Sequence, residues 1–295
     1  MTDTLTPLHA LVRQQAERLE AAGVALGHGT ATPFDEAAWL VLWQLGLPLD
    51  TDLDGPAQPT PTQEQLQQVD QLVTRRIQTR QPAAYLTREA WLQGVAFYVD
   101  ERAIIPRSLI AETLADGSID AFLHPETCHV LDLCTGNGSL AVLAALAWPD
   151  VVVEAADIST DALAVAAINV EKHGLQQRIR LLQSDGLANC TGPYDLILCN
   201  PPYVNSTSMG QLPSEYRAEP ALALAGGSDG MDFIRQLLRD APACMTENAV
   251  LVLEIGNERP FFEAAFPSLP VFWLDTSAGE DAVLLITRQA LIKAA

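Results

Sequence analysis

From about residue 127 onward the chain alternates short apolar runs with segments of helical periodicity, and no other feature narrows the possible folds as far. "CHVLDLC", "VVVEAAD", "RIRLLQSD", "YDLILCN" and "AVLVLEI" read as strands. Helices are expected over Ser139 to Trp148, Ser159 to His173 with Gly174 at its cap, and about Asp229 to Cys244. The strands are apolar almost without interruption, as required when helices cover both faces of a parallel sheet. The expected class is therefore α/β, a Rossmann-like doubly wound sheet. After a short helix near Phe261 to Phe266, two last strands, Val271 to Leu274 and Ala282 to Thr287, have no helix between them and are expected to form a hairpin at one edge.

The first part of the chain reads differently. Leu5 to Ala22 and Phe34 to Gly46 have helical apolar spacing, and a third segment carries Leu66, Val69, Leu72, Val73 and Ile77 on one stripe. These predict a small helical bundle. The stretch "PLDTDLDGPAQPTPT", Pro48 to Thr62, marks an exposed connection, Thr62 with Gln65 forms a capping box, and Pro82 ends the third helix. "EAWLQGVAFYVDERAIIP" then suggests short hairpin strands around Gly94. The resulting expectation is a helical domain over 1–89, a β-hairpin linker over 90–110 and an α/β domain over 111–295.

A formal charge of −20 bears on partners, and it is spread over the chain: residues 1–100 carry 12 acids and 6 bases, the remainder 25 and 11. Such a surface repels nucleic acid and attracts a basic protein. The one basic run, Arg75, Arg76, Arg80 and Arg88, is expected to be a solvated helix surface. No apolar run approaches the ~20 residues of a membrane span and no secretory signal opens the chain, so a cytoplasmic location without membrane contact is expected. The five cysteines form no CxxC pair; His124, Cys128 and His129 come nearest to a metal cluster but lack a second ligand pair, and no metal ligand is expected.

Chemistry-bearing residues gather at strand ends. "DLCTGNGSLA" places Asp132, Thr135, Gly136, Asn137, Gly138 and Ser139 at a strand-to-helix bend, without the three-glycine dinucleotide fingerprint or a Walker lysine. The next strand ends in Asp157, twenty-one residues after Gly136, suited to ribose hydroxyls, and the third ends in Ser184-Asp185-Gly186, suited to an adenine amino group. A glycine bend with acids at successive strand ends describes a site for an adenosine without phosphates, and S-adenosylmethionine fits it better than NAD. "NPPY" then follows the fourth strand, which the two prolines terminate. The Asn200 side-chain oxygen and the Pro201 carbonyl can accept both hydrogens of a planar amino or amide group, Pro202 stiffens the loop, and Tyr203 packs over the target. Asn200 also adjoins the cofactor side.

In order, DLCTGNGS, Asp157, Ser184-Asp185 and NPPY resemble the motifs of class I methyltransferases that modify glutamine side-chain amides in proteins of the translation apparatus. The resemblance covers nearly all of the chain. It implies a seven-stranded catalytic domain preceded by a helical bundle and hairpin linker, S-adenosylmethionine as methyl donor with S-adenosylhomocysteine as product, and substrate recognition by the helical domain. "PAAYLTREAWLQGVAFYVDERAIIPRS" and "LPSEYRAEPALALAGGSDGMD" look like the subfamily acting on the third-numbered large-subunit ribosomal protein. Release-factor enzymes usually have proline and an acid after the arginine matching Arg107, where Ser108 and Leu109 stand here; nearer relatives usually have proline at 109 and histidine at 218. The implied substrate is a basic ribosomal protein, free or in an assembly intermediate. The alternatives are a release-factor enzyme, an amino-group methyltransferase of adenine or guanine, with which NPPY is shared, and a ribosome-assembly factor without catalysis.

Overall fold

The computed structural model describes residues 7–55 and 60–294. Both Leu5, the expected start of the first helix, and the middle of the 48–62 connection lie outside the described residues. The chain divides into two compact units, one of Met1–Glu89 with Pro213–Ala218, the other of Ala90–Leu212 with Glu219–Ala295.

The first unit is helical: α1 (Leu8–Ala21), α2 (Pro33–Leu45), α3 (Gln63–Thr79) and the short α4 (Ala83–Thr87). Two of these helices, α2 and α3, start where their sequences provide caps. The Thr32 hydroxyl accepts from the Asp35 N–H while Pro33 occupies the first turn, and Thr62 and Gln65 cap α3 reciprocally. Leu11, Val12 and Leu19 of α1, Leu40 and Val41 of α2, and Val69 and Val73 of α3 are buried. The α3 arginines correct the expectation of a solvated run. Arg76 is fully buried and donates to Glu36 at 2.8 Å, to Glu215 at 3.3 Å and to the Ala25 carbonyl at 2.9 Å. Arg80 donates to the Ala22 and Gly23 carbonyls, while Arg75 and Arg88 stay exposed. Burial of Arg76 follows from its two carboxylate partners, since a guanidinium leaves water only where charge and hydrogen bonds replace it.

The second unit begins with a hairpin, β1 (Glu89–Leu92) and β2 (Val95–Tyr98), closed by Gln93 and Gly94, both at positive φ as a two-residue turn needs. Beyond it, α5 (Ile110–Ala115) leads into β3 (His129–Leu133), α6 (Ser139–Ala147), β4 (Val152–Asp157), α7 (Thr160–Lys172), β5 (Ile179–Gln183) and β6 (Tyr194–Cys199). Next come α8 (Ser206–Gln211), α9 (Asp232–Asp240), β7 (Met245–Glu254), α10 (Arg259–Ala265), β8 (Phe272–Thr276), β9 (Gly279–Thr287) and α11 (Arg288–Ala294). The helix expected over 229–244 is shorter because the Asp229 carboxylate accepts the Met231 N–H ahead of it and Pro242 lies in a 3-10 turn after it.

One sheet holds seven strands in the order β5-β4-β3-β6-β7-β9-β8. Five are mutually parallel; β9 runs antiparallel to β7 and pairs with β8 in the edge hairpin. Period-two alternation sends Val130, Leu196, Leu198, Val250 and Val252 to one face, against α5 and α6, and Leu131, Leu133, Ile197, Leu251 and Leu253 to the other, against α9 and α11. The chain builds outward from β3 to β5 and then returns to lay β6 beside β3. That reversal is the topological switch point, where the loops leaving β3 and β6 diverge and where open α/β sheets bind their ligands.

Candidate active site

The bend after β3 is built from three left-handed residues, Cys134 (φ 61°), Gly136 (φ 56°) and Gly138 (φ 82°). Gly138 has a second requirement: a Cβ there would come within 3.1 Å of Ala166 Cβ on α7, so only glycine lets α6 start so close to α7. Asp132, 1% exposed, braces the bend by accepting from the Thr135 hydroxyl at 2.5 Å and the Ala141 N–H at 2.9 Å. Burial pushes its carboxyl up to about 7. Ser139 N–H donates to the Asn137 side chain at 3.2 Å. Two buried polar atoms of this bend, Asp132 Oδ1 and Asn137 Nδ2, have no hydrogen-bond partner among the described residues. An acceptor and a donor left open in one buried bend fit a small zwitterion such as the amino-acid end of S-adenosylmethionine.

Asp157 stands where expected, at the end of β4. Its Oδ2 accepts the Gly136 N–H and its Oδ1 the Ser159 N–H, each at 2.9 Å, and burial raises its carboxyl above the usual range. Each oxygen keeps a further lone pair, so the carboxylate can fix the bend and still accept from a ribose hydroxyl. After β5, the buried Ser184 donates to the Gly186 carbonyl at 2.7 Å and accepts the Asn189 N–H at 3.0 Å, which shapes the turn. Asp185 projects from it exposed, its carboxylate without a hydrogen bond among the described residues.

Two residues that the sequence did not single out complete this side. Asn169 of α7, fully buried, accepts the Tyr98 N–H at 2.7 Å and donates to the Tyr98 and Asn137 carbonyls at 2.9 and 2.8 Å. The hairpin exit is thereby tied to the glycine bend. Ile104 lies over Gly136, 3.3 Å from where a Cβ would be.

On the other side of the switch point, Cys199 is in register with Leu133 of β3 and with Leu253 of β7, so Asn200 emerges level with the bend and with Glu254. Neither the Asn200 side chain nor the Pro201 carbonyl makes a hydrogen bond among the described residues, and both remain available as acceptors. Pro201 is buried and Pro202 half-buried. Tyr203 donates its hydroxyl to Glu254 Oε1 at 3.2 Å, and its ring lies so close to Gly256 that a Cβ there would sit 2.5 Å from the ring. Burial raises the phenol well above its ordinary value. Downstream, Val204 bridges to Ala225, and Asn205 caps α8 while donating to Glu258 at 2.9 Å. At the opposite end of the sheet, ligand atoms of Cys128, His129 and Asp195 lie within 4.8 Å of one another, while His124 accepts the Glu126 N–H. Asp195 already accepts from the backbone of both neighbours and from Thr246, which accounts for its position without a cation.

Residues 114–213 match the methyltransferase small domain family. The chain is 52% identical over 292 residues to the ribosomal protein uL3 glutamine methyltransferase of Bordetella pertussis, covering 97% of each chain. It is 49% identical over 301 residues to that of Burkholderia pseudomallei, again covering 97% of each. Among solved structures, the hMettl16 catalytic domain superposes with a TM-score of 0.52 over 80% of this chain and 85% of its own, at 12% identity, a likeness of fold alone. Nearly full-length similarity at this level leads to one conclusion: the chain belongs to the family of ribosomal protein uL3 glutamine methyltransferases.

Proposed function

We propose that this enzyme methylates the side-chain amide nitrogen of one glutamine in ribosomal protein uL3, free or within an assembly intermediate, in the cytoplasm. The observation that carries the reading is the pair of open acceptors, Asn200 and the Pro201 carbonyl, beside the glycine bend at the switch point. When bound, S-adenosylmethionine supplies an electrophilic methyl group on a sulfonium. Asp132, Asn137, Asp157 and Asp185 are the residues suited to hold it, with the backbone of 135–139 and Gly186 shaping the site.

The chain's own contribution at the acceptor side is orientation. An amide nitrogen is a poor nucleophile because its lone pair is delocalised. Asn200 and Pro201 accept its two hydrogens and turn its π face towards the methyl group. As positive charge develops on nitrogen, those hydrogens become stronger donors, so both acceptors stabilise the transition state more than the ground state. Tyr203 bounds the slot. The proton leaves to water after transfer, and no general base is needed. The helical unit is assigned to substrate recognition, and the acidic surface supports a basic protein over nucleic acid.

The test is methyl transfer from labelled S-adenosylmethionine to purified uL3, to a release factor and to ribosomal RNA, with mass mapping of the product. Label on one uL3 glutamine is the expected result; label on the release factor or RNA alone would overturn the substrate assignment. Asn200→Ala is expected to lower kcat by about 100-fold or more while leaving the cofactor Kd within about threefold. Equal turnover would remove Asn200 from its role.

A further inference from the structure

Glu254 ends β7 next to Asn200 and is 3% exposed, yet no cation pairs with its carboxylate among the described residues. Its partners are all donors of a different kind. Oε2 accepts the Ser108 hydroxyl at 2.6 Å and the Leu109 N–H at 2.8 Å, and Oε1 accepts the Tyr203 hydroxyl at 3.2 Å. A buried carboxylate is costly to desolvate, and hydrophobic residues would close the sheet more cheaply. What the carboxylate provides is a fixed line from the segment Ile105–Leu109 to the ring of Tyr203. The same segment holds the far end of the acceptor loop: Arg107 pairs through both guanidinium nitrogens with Glu219 at 2.6 and 2.8 Å, and the Ile105 N–H donates to Glu219 at 3.0 Å.

We propose that Glu254 is a positioning residue for the methyl-acceptor slot, transmitting the placement of Ser108 and Leu109 to Tyr203, so that Ile105–Leu109 clamps the acceptor loop at both ends. The proposal rests on the reading that Tyr203 bounds the slot. Glu254 touches neither cofactor nor substrate in this scheme. With Gly256 pressed on one side of the ring, the hydroxyl is the handle by which the ring's remaining freedom is removed. The amide nitrogen then meets a slot of one width rather than several.

The experiment is a double-mutant cycle on Ser108→Ala and Tyr203→Phe, with Glu254→Gln as a third variant, measured with uL3 as acceptor. Ser108 and Tyr203 share Glu254 as their common partner, so the two changes act through one relay. Ser108→Ala is expected to lower kcat/KM for uL3 about three- to tenfold, leave cofactor Kd nearly unchanged, lower the melting temperature by a few degrees because a buried carboxylate loses a donor, and cost nothing further in kcat/KM in the Tyr203→Phe background. Glu254→Gln is expected to match or exceed the Tyr203→Phe loss. Equal costs of Ser108→Ala in both backgrounds, or a loss confined to cofactor binding, would overturn the relay. An Asn200→Ala control that retains full turnover would instead mark failure of the acceptor-site reading on which the relay depends.

Discussion

A carboxyl group that is 1% exposed, with one oxygen bonded to Thr135 and Ala141 and the other unpartnered, ionises reluctantly, and Asp132 is raised to about 7 chiefly by desolvation. The folded chain therefore keeps this proton between about pH 4 and 7, where the unfolded chain has released it. The contribution of Asp132 to stability then declines as pH rises through that window, by about 1.4 kcal/mol per unit at its steepest. Cofactor binding runs the other way. A cationic amino group presented to Asp132 Oδ1 favours the ionised form, so affinity for S-adenosylmethionine is expected to rise up to about tenfold per unit from pH 5 towards 7 and then level off. Calorimetric titration across pH 5 to 8.5 checks this, with Asp132→Asn expected to flatten the profile. A flat profile in the unaltered enzyme would show that the proton on Asp132 is not linked to binding. The sequence marked Asp132 as a site residue because of its place before the bend. That it serves first as a brace depends on Ala141, nine residues on in the first turn of α6, a relation of space rather than of motif.

At the scale of elements, the glycine bend is only as rigid as what α7 provides. Asn169 bonds three backbone groups, two on the half-buried Tyr98 and one on the buried Asn137. Asn169→Ala removes three hydrogen bonds to the backbone of Tyr98 and Asn137, which is expected to cost about 2–4 kcal/mol in denaturant unfolding and to weaken cofactor binding more than acceptor binding. Unchanged cofactor affinity in a folded variant would separate Asn169 from the site. Most elements were legible because local signals carry them: the capping box at Thr62, the hairpin around Gly94 and the nearly continuous apolar strands from β3 to β7 are written in neighbouring residues. Asn169 was not legible, because its partners lie 71 and 32 residues away and its sequence surroundings read only as an amphipathic helix. Arg76 is the converse case. Beside Arg75 and Arg80 it looked like part of an exposed basic run, and only Glu36 and Glu215, 40 and 139 residues distant, explain why it is inside.

For the whole molecule, the net charge of −20 becomes informative once uL3 is the proposed partner. Arg76 and Arg107 pair with buried carboxylates, which takes acids out of the surface together with bases, so the excess of 20 acids (37 less 17) is what sets the field outside. A basic substrate approaching such a surface is drawn in over a Debye length, about 10 Å at 0.1 M salt and 3 Å at 1 M, before any contact forms. Steering of this kind acts on encounter and leaves the chemical step alone. Raising salt from about 0.05 to 0.5 M is therefore expected to lower kcat/KM for uL3 by an order of magnitude or more through KM, with kcat at saturating substrate changing less than about twofold. A short uncharged glutamine peptide should show little of the effect, since it carries no charge for the field to act on. If intact uL3 is equally insensitive, the acidity maintains solubility and recognition must reside in short-range contacts; if kcat falls as well, salt is reaching the site itself, where the open acidic groups are Asp132 and Asp185.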